Sequence, residues 1–399
     1  MPDSVLVVGA SAAGLATVES LRRKGYQGQI TLIGEEEGAP YDRPPLSKQV
    51  LAGTWDAERT HLRTREVLDA LNAAFILGER AVSLDTAART VRTVSGRELG
   101  ADAVVLATGL CARRLPDLAG TEGVHVLRTL EDSVRLRDEL LHAEQTVVIG
   151  DGVLGAEIAA TARQLGREVT LAGPQAAVMQ TQLGPDIAER LAALHTDQGV
   201  RLRPDTLVGG ATTSRGRVSG VRTAEGGVLP ADLVVEAVGG IPATDWLADS
   251  GLVLDDGVVC DSHCRAAEGV YAVGDVARFH HPGLGRSLRL ENRTNATEQA
   301  QTVAANILGE GRAYAPVPYF WTDQLGVKIQ VYGLPTPTAT LHIAEGDVQE
   351  GRFVARYEER GRPVAVLGWN MPKQARLQRQ HLLPLYTAAP HPQPAGATR

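Results

Sequence analysis

Two glycine-rich turns in this sequence have the spacing needed to bind the pyrophosphate of a dinucleotide. The first, GASAAG at 9–14, follows an apolar run at 5–8. A buried strand, a turn of small residues and a helix N-terminus together direct backbone N–H groups and the helix dipole at an anion. The usual fingerprint is G-x-G-x-x-G, and Ser11 stands at its second glycine, so this match is imperfect. Glu35 follows the next apolar strand, 30–33, where a carboxylate can accept hydrogen bonds from ribose hydroxyls.

The second turn carries the complete fingerprint. Gly150, Gly152 and Gly155 follow an apolar strand at 147–149, and a helical pattern and a strand at 168–172 come next. Two such units about one domain apart predict two bound dinucleotides and electron transfer between them. A duplicated fold with one inactive site is the alternative.

The second unit lacks the acidic residue expected at the end of its second strand. Gly173 occupies that place, and Glu168 lies before the strand, on the wrong side. No arginine fills the next few positions, where a 2′-phosphate would need one. The pattern therefore leaves NADH and NADPH both open, together with weak binding of either nucleotide.

The stretch YDRPPLSK at 41–48 places two cations on a stiff loop. Pro44 and Pro45 exclude a regular helix there, and Arg43 and Lys48 extend from the loop near the first turn. One interpretation is a solvated proline turn with two surface cations. The other is a loop that clamps a cofactor, with both cations near phosphate or ring oxygens.

Small residues also follow three further apolar strands, where a larger side chain would obstruct the chain or a ligand. They are Ala107, Thr108 and Gly109 after 103–106, Gly239 after 233–238, and Gly274 after 270–273. Asp275 comes directly after Gly274 and can accept a hydrogen bond from a ribityl or ribose hydroxyl, cap a helix, or do both.

Size and composition predict a globular protein of two or three domains. The chain has 399 residues, of which 43% are hydrophobic and 22% charged, and it can bury a large core without disulfides or structural metals. The net charge of -7 argues against a general nucleic-acid binder. No apolar run approaches the ~20 residues of a membrane span. The chain enters its first strand almost at once, so we expect no signal peptide.

The three cysteines, Cys111, Cys260 and Cys264, do not suggest a disulfide framework, which favours a cytoplasmic location. From 318 the pattern changes to alternating strands, which predicts a separate α+β domain. The tail 388–399 is rich in Pro and Ala and is predicted to be disordered.

Together these motifs resemble the FAD-dependent ferredoxin reductases that serve Rieske oxygenases and haem monooxygenases, including putidaredoxin and rubredoxin reductases. The resemblance covers nearly the whole chain, and YDRPPLSK is its most specific motif. The motifs that carry it are GASAAG at 9–14, YDRPPLSK at 41–48, ATG at 107–109, LRT at 127–129, GDGVLGAE at 150–157, YAVGDVA at 271–277 and PYFWTDQ at 318–324.

The resemblance implies an α/β fold with two Rossmann-like dinucleotide-binding domains in a glutathione-reductase-like FAD/NAD(P) arrangement, plus a C-terminal α+β domain. The FAD-binding domain would be discontinuous, at 1–112 and 249–317. The NAD(P)H-binding domain would span 113–248, and the C-terminal domain 318–399.

It also implies roles for individual residues. Lys48 and Glu157 would be the catalytic residues, the first near the reactive edge of the isoalloxazine and the second near the nicotinamide. If the two residues pair across the site, they could stabilise the anionic reduced flavin and orient the nicotinamide. The cofactor-binding residues would be Gly9, Ser11, Ala13, Gly14, Glu35, Arg43, Lys48, Val82, Ala107, Thr108, Gly109, Arg128, Gly150, Gly152, Gly155, Gly239, Gly274, Asp275, Arg293 and Trp321.

One segment departs from the family pattern. Many members carry E-H-W before N-A, and this chain has Glu291, Asn292 and Arg293 there. The tryptophan is associated with the exit route of electrons. An arginine in its place could instead face an acidic ferredoxin.

The implied activity is that of an FAD-dependent NAD(P)H:ferredoxin oxidoreductase. Hydride would pass from NADH or NADPH to FAD, and single electrons would pass on to an iron–sulfur ferredoxin that feeds an oxygenase. We expect a monomer or homodimer, with no nucleic-acid or membrane partner and no bound metal.

Other classes of function remain alternatives. A disulfide reductase would need two redox cysteines beside the flavin, but Cys260 and Cys264 come late in the chain. A metal site formed by these two cysteines and His263 has poor spacing and lacks a fourth ligand nearby. A flavin oxidase or substrate-modifying flavoenzyme with weakened NAD(P)H use, and a redox-sensing FAD protein, are the two further alternatives.

Overall fold

The computed structural model describes residues 1–387, so the predicted disorder of 388–399 lies outside the described residues. The strands are β1 (Ser4–Val8), β2 (Gln29–Ile33), β3 (Ala74–Ile76), β4 (Ala81–Asp85), β5 (Thr90–Thr93), β6 (Glu98–Gly100), β7 (Ala103–Leu106), β8 (Leu110–Ala112), β9 (Val124–Val126), β10 (Gln145–Ile149), β11 (Glu168–Ala172), β12 (Arg201–Arg203), β13 (Val208–Ser214), β14 (Arg217–Thr223), β15 (Val228–Pro230), β16 (Leu233–Glu236), β17 (Gly240–Pro242), β18 (Val258–Cys260), β19 (Arg265–Ala267), β20 (Val270–Ala272), β21 (Ala277–His281), β22 (Arg286–Arg289), β23 (Tyr319–Gln324), β24 (Val327–Gly333), β25 (Thr340–Asp347), β26 (Arg352–Glu359) and β27 (Arg362–Trp369).

The α-helices are α1 (Ala12–Arg23), α2 (Arg65–Ala70), α3 (Leu130–Leu140), α4 (Val153–Gln164), α5 (Gln180–Leu183), α6 (Pro185–Asp197), α7 (Arg293–Ile307), α8 (Pro372–Gln378) and α9 (Leu383–Thr387). After Pro44 and Pro45 the chain forms a π-helical turn at Leu46–Val50, which agrees with the expectation that the prolines exclude a regular helix. No helix within residues 1–387 is long and apolar enough to cross a bilayer.

The first large sheet is built around β1. Its strand order is β19-β20-β7-β1-β2-β3, and β1 pairs in parallel with both β2 and β7. The apolar run of β1 is buried because neighbours cover both faces of the sheet. Helix α1 leaves the carboxyl end of β1 and packs on α7, so the late part of the chain returns to the first glycine turn.

The second large sheet repeats this design around β10. Its order is β12-β11-β10-β16-β9, and all the pairings are parallel. Helix α4 follows β10 as α1 follows β1. The apolar residues of α4 are buried against the sheet because the helix carries small side chains such as Ala159 and Ala162.

The C-terminal sheet is antiparallel, with the order β23-β24-β27-β26-β25. Its Ile329 and Phe353 share one apolar core with Val148 of β10 and Ala156 of α4. The C-terminal unit therefore packs directly on the second nucleotide-type unit, and β23 lies against α4.

Four smaller sheets complete the described part of the fold. They are β4-β5-β6, β13-β14-β15, β17-β8 and β18-β21-β22. The predicted α/β class, with two units of one design and a C-terminal α+β unit, is confirmed.

Candidate functional site

The two glycine turns have the same backbone geometry. Gly9 has φ +120° and Gly150 has φ +110°, values that L side chains rarely adopt. A Cβ on Gly14 would lie 1.9 Å from the carbonyl oxygen of Gly9, and one on Gly155 would lie 1.7 Å from that of Gly150. Both turns therefore exclude side chains at Gly14 and Gly155, and the helix N-termini that follow Gly9 and Gly150 can direct backbone N–H groups at an anion.

Between the two turns lies one cavity of about 1050 Å³. Most of the predicted site residues are on its wall. They are Ser11, Ala13, Arg43, Lys48, Ala107, Thr108, Gly109, Arg128, Gly150, Gly152, Glu157, Gly239, Gly274, Asp275, Arg293 and Trp321.

The remaining predicted residues lie elsewhere. Gly9, Gly14 and Gly155 form the turns themselves rather than the cavity wall. Glu35 is largely exposed and its nearest cation is Arg80, at 3.8 Å. Val82 is in β4 and lines a separate cavity of about 800 Å³.

The departure of the first turn from the usual glycine pattern has a structural consequence. Ser11, which replaces the second glycine, accepts a hydrogen bond of 2.5 Å from the Arg43 guanidinium. Arg43 also donates to Glu36 at 2.8 Å and lies over the Tyr41 ring, while the Tyr41 hydroxyl donates to the other Glu36 oxygen. The YDRPPLSK loop is thus anchored to the first turn. The carboxylate that accepts hydrogen bonds from this loop is that of Glu36, not that of Glu35.

An ion pair spans the middle of the cavity wall. Lys48 Nζ lies 2.7 Å from Glu157 Oε2, and the two side chains are 14% and 6% exposed. Glu157 Oε2 also accepts from Ser47, and Oε1 accepts from Thr322 of β23 at 2.7 Å. The condition that Lys48 and Glu157 pair is met, and two hydroxyl groups fix the carboxylate.

This network continues into the protein interior. Gln324 donates to Thr322 at 3.1 Å, and the Gln324 side-chain oxygen lies 2.6 Å from His195 Nε2 on α6. His195 is fully buried, and burial lowers its pKa, an effect that the contact with Gln324 partly opposes. A neutral imidazole is therefore favoured at the end of the chain of hydrogen bonds.

Asp275 and Arg128 provide opposite charges beside the first turn. Burial raises the pKa of the Asp275 carboxyl, and the Arg128 charge lowers it in part. Burial likewise lowers the pKa of Arg128, and the nearby Arg43 lowers it further. Such desolvated polar groups are stabilised when a ligand supplies hydrogen bonds or charge.

At the mouth of the cavity, Arg293 begins α7. Its guanidinium donates to Asp42 of the YDRPPLSK loop at 2.5 Å and to Thr297 one turn along the helix. Trp321 faces the same cavity and stacks on Tyr319, with ring centroids 5.9 Å apart. The arginine that departs from the family pattern is thus held in place by an ion pair.

The three cysteines are free thiols. Cys260 and Cys264 are buried in the core of the first unit, and Cys264 accepts a hydrogen bond from Gln299. Cys111 is exposed on β8 and reaches the cavity wall by itself. Residues 1–387 contain no cluster of His, Cys, Asp and Glu that could hold a metal ion.

Several residues that bond within the site were missed by sequence reasoning. They are Glu36, Asp42, Ser47, Asp151, His195, Thr322 and Gln324. Asp42 and Ser47 lie within YDRPPLSK and Thr322 and Gln324 within PYFWTDQ, so those motifs were the available signal. His195 lies in no motif, and its contact spans 129 residues.

The arrangement brings two glycine turns and a buried ion pair to one cavity. Two dinucleotides seated on the turns would extend toward the same ion pair. This geometry suits electron transfer between the two ligands, because reactive groups must be held close together and oriented.

Comparisons with known proteins agree with this geometry. Residues 3–300 match the family described as Pyridine nucleotide-disulphide oxidoreductase, and residues 319–391 match Reductase C-terminal. Rhodocoxin reductase of Rhodococcus erythropolis is 36% identical over 352 residues, which cover 88% of this chain and 82% of that protein. Putidaredoxin reductase CamA of Pseudomonas putida is 34% identical over 385 residues, which cover 95% and 91%.

Solved structures show the same similarity. The ferredoxin reductase for the CYP199A2 system from Rhodopseudomonas palustris superposes with a TM-score of 0.89 at 34% identity, covering 92% of this chain and 91% of that one. The covalent putidaredoxin reductase–putidaredoxin complex gives a TM-score of 0.90 at 34% identity, covering 95% and 93%.

Proposed function

The chain belongs to the pyridine nucleotide-disulphide oxidoreductase family, and on that premise we propose that it is an FAD-dependent NADH:ferredoxin oxidoreductase. The resemblance to ferredoxin reductases is confirmed by the relatives and solved structures. The observation that carries the proposal is the single cavity that joins both glycine turns at the Lys48–Glu157 ion pair.

The residues beside the first turn fit FAD. Glycines 9 and 14 allow α1 to begin directly after β1, and a pyrophosphate would sit against the N-terminus of α1 and Arg43. The buried Nε of Arg43 has no hydrogen-bond partner among the described residues, so it retains a donor. Asp275 would accept from ribityl hydroxyls, whose bonds would favour its ionised form.

The other predicted FAD contacts remain part of the proposal. Glu35 would need to turn from its exposed position toward the adenosine ribose. We assign FAD to residues 1–112 and 249–317, because the first sheet takes β1, β2, β3 and β7 from one segment and β19 and β20 from the other.

NADH would occupy the second turn, within 113–248. The second sheet supports this boundary, since β9 to β12 and β16 all fall inside it. A relative from Pseudomonas putida that is 37% identical over 337 residues is named benzene 1,2-dioxygenase system ferredoxin--NAD(+) reductase subunit, and this name specifies NAD(+). By this proposal the C-terminal unit, from 318, supplies Thr322 and Trp321 to the cavity.

FAD, when bound, accepts two electrons with a hydride and releases electrons one at a time. Lys48 would place a fixed positive charge where negative charge accumulates on reduction. Glu157, held by Lys48, Ser47 and Thr322, would orient the nicotinamide end of NADH. The two residues therefore act through position and charge rather than through covalent chemistry.

The electron acceptor would be an iron–sulfur ferredoxin. The solved covalent complex pairs a relative of this chain with putidaredoxin. In this chain Arg293 and Trp321 stand at the cavity mouth, where a docked carrier would approach. A cytoplasmic location and a monomer or homodimer also belong to this proposal.

The proposal is tested by anaerobic titration of the purified protein with NADH, followed by addition of ferredoxin. We expect a yellow protein that NADH bleaches, and reduction of cytochrome c that depends on added ferredoxin. Hydrogen peroxide formed from a small substrate without NADH would instead indicate an oxidase. Tightly bound FAD without turnover would indicate a redox sensor, and a colourless protein after reconstitution with FAD would overturn the proposal.

A further inference from the structure

The second nucleotide-type unit contains a carboxylate that its strand pattern does not predict. Gly173 follows β11 at the place where an acidic residue usually binds the adenosine ribose. A Cβ built on Gly173 would lie 2.2 Å from Cγ of Asp151 and 2.4 and 2.6 Å from its two carboxylate oxygens. The side chain of Asp151, from the second glycine turn, therefore occupies the space that a residue 173 side chain would fill.

Asp151 is held rigidly in this position. One of its oxygens accepts from the Gln175 backbone N–H and the other from the Gln175 side chain, both at 2.8 Å. The Asp151 carbonyl accepts from the Met179 N–H, so the loop after β11 folds over it. Gln175 is itself fixed, because its side-chain oxygen accepts from the Thr181 N–H at 2.7 Å.

The carboxylate is buried but reaches the cavity. Asp151 is only 6% exposed, it lies on the cavity wall, and no ion pair within residues 1–387 includes it. Each carboxylate oxygen can accept a further hydrogen bond beyond the one from Gln175. The unfilled acceptor positions suit the 2′- and 3′-hydroxyls of a ribose.

The cations on the cavity wall bond or lie close to groups other than Asp151. In the described chain they are Arg43, Lys48, Arg128, Arg289 and Arg293. These side chains bond or lie close to the first turn, Glu157, Asp275, Glu291 and Asp42. The lining residues from the segments after β11 and β12 are Gly173, Pro174, Thr181, Gln182, Thr206, Leu207 and Val208, and none of them is positively charged. Arg203 contacts Gly173 through its backbone carbonyl but does not line the cavity.

We propose that Asp151 is the residue that selects NADH over NADPH, in place of the missing acid at the end of β11. This inference rests on the proposed function, since it assigns NADH to the second turn. The carboxylate accepts from the ribose hydroxyls of NADH and repels a 2′-phosphate, which meets no cation on this part of the cavity wall. We expect wild-type protein to prefer NADH by about 100-fold, the range of one hydrogen bond to a charged group plus a like-charge contact.

The test compares the binding of NAD⁺ and NADP⁺ by calorimetry with the rate of flavin reduction by NADH and NADPH. Asp151→Asn keeps the shape and the bond from the Gln175 backbone but removes the charge. We expect it to weaken NAD⁺ binding about tenfold and to reduce the discrimination against NADP⁺ at least tenfold. Bound FAD and circular dichroism show whether the variant folds.

A double variant moves the carboxylate back to the strand end. Asp151→Gly with Gly173→Glu should recover a preference for NADH, because the new side chain enters the space that Asp151 has left. Glu168→Gln is the matched control, since it removes a carboxylate from the opposite end of the same strand, where Glu168 pairs with Arg201. Arg203→Ala, at the end of β12 beside β11, should leave the ratio of the two affinities unchanged, because Arg203 does not line the cavity.

The inference is overturned if wild-type protein binds NADP⁺ as tightly as NAD⁺, or if Asp151→Asn leaves both affinities unchanged. It is supported if only the Asp151 variants change the ratio of the two affinities. If neither nucleotide reduces the flavin, the proposed function fails, and the calorimetric ratio still decides the role of Asp151.

Discussion

Lys48 Nζ and Glu157 Oε2 form a 2.7 Å ion pair between residues 109 positions apart in the chain. Lys48 comes from the π-helical turn after the proline loop, and Glu157 from the second turn of α4 in the second nucleotide-type unit. The pair therefore joins the two halves of the proposed site. Because both side chains are largely buried, their geometry is fixed by packing as well as by charge.

Lys48→Met should slow flavin reduction by NADH at least tenfold in stopped-flow absorbance. The change removes the positive charge and leaves Glu157 buried without its cation, so unfolding free energy should also fall by about 3 kcal/mol. Adding Glu157→Gln to this variant should restore part of the stability, because no lone charge remains. The loss of rate should persist.

Lys328→Met is the matched control for this pair. Lys328 lies 3.5 Å from Asp323, with both side chains about half exposed, so its loss should change neither stability nor rate appreciably. Equal effects of the two lysine variants would contradict a specific role for Lys48.

Thr322→Val should reduce the rate of flavin reduction several-fold without preventing folding. The variant keeps the shape of the side chain but removes the hydrogen bond to Glu157, worth about 1.5 kcal/mol for a charged acceptor. The comparison is Thr336→Val, which removes a hydroxyl that donates to Glu359 elsewhere in the C-terminal unit. A similar loss of rate in both variants would indicate a general effect of the C-terminal unit.

Arg293→Gln should weaken the salt dependence of ferredoxin reduction. An arginine at the cavity mouth attracts an acidic carrier, and this attraction is screened by salt. We expect the KM for an acidic [2Fe–2S] ferredoxin to rise about fivefold at low ionic strength. The slope of KM against salt concentration should become flatter. Arg352→Gln, at an exposed position on β26, should leave that slope unchanged. An unaltered slope in Arg293→Gln would place ferredoxin elsewhere.

Asp275→Asn should have opposite effects on stability and on FAD binding. Burial raises the pKa of Asp275 above its ordinary value of 3.8, although Arg128 opposes this. The folded protein therefore holds the Asp275 proton more tightly than the unfolded chain does. The contribution of Asp275 to the free energy of unfolding is fully present below pH 3.8, and it is lost as the pH rises through the folded-state pKa. The apoprotein of the variant should therefore melt at a higher temperature than wild type at pH 7 but not at pH 4.

The same variant should release FAD more readily, by about tenfold in dissociation constant, because the ionised carboxylate is the stronger acceptor for ribityl hydroxyls. Fluorescence of the released flavin measures this constant. Unchanged FAD affinity would remove Asp275 from the proposed flavin site.

His195→Gln should flatten the acid side of the stability profile. Burial lowers the pKa of His195 below its ordinary value of 6.5, so the unfolded chain takes up a proton that the folded protein resists. The wild-type protein should thus lose stability as the pH falls below about 6.5. His195→Gln should lose less stability over the same pH range. Urea midpoints at pH 7.5 and 5.0 provide the measurement.

His342→Gln is the comparison for this experiment. His342 is about half exposed and lies 3.8 Å from Glu358, so its replacement should not flatten the profile. If wild type and His195→Gln lose stability equally on acidification, the buried imidazole is not responsible.

The two strand–turn–helix units were determined by the sequence itself. Gly9 and Gly150 adopt backbone angles that side chains resist, and Gly14 and Gly155 approach a carbonyl too closely for any Cβ. These constraints act over a few residues, and the apolar runs before them bury in parallel sheets for the same local reason. The two-dinucleotide architecture was therefore predictable.

Only the tertiary structure decided which side chains meet. Glu36 rather than Glu35 pairs with Arg43, Thr322 reaches Glu157 across 165 residues, and Asp151 fills the space over Gly173. These contacts depend on how separate sheets pack and on the rotamers that the packing allows. Residue types and spacing along the chain carry no direct record of either, because side-chain contact is a property of three-dimensional packing.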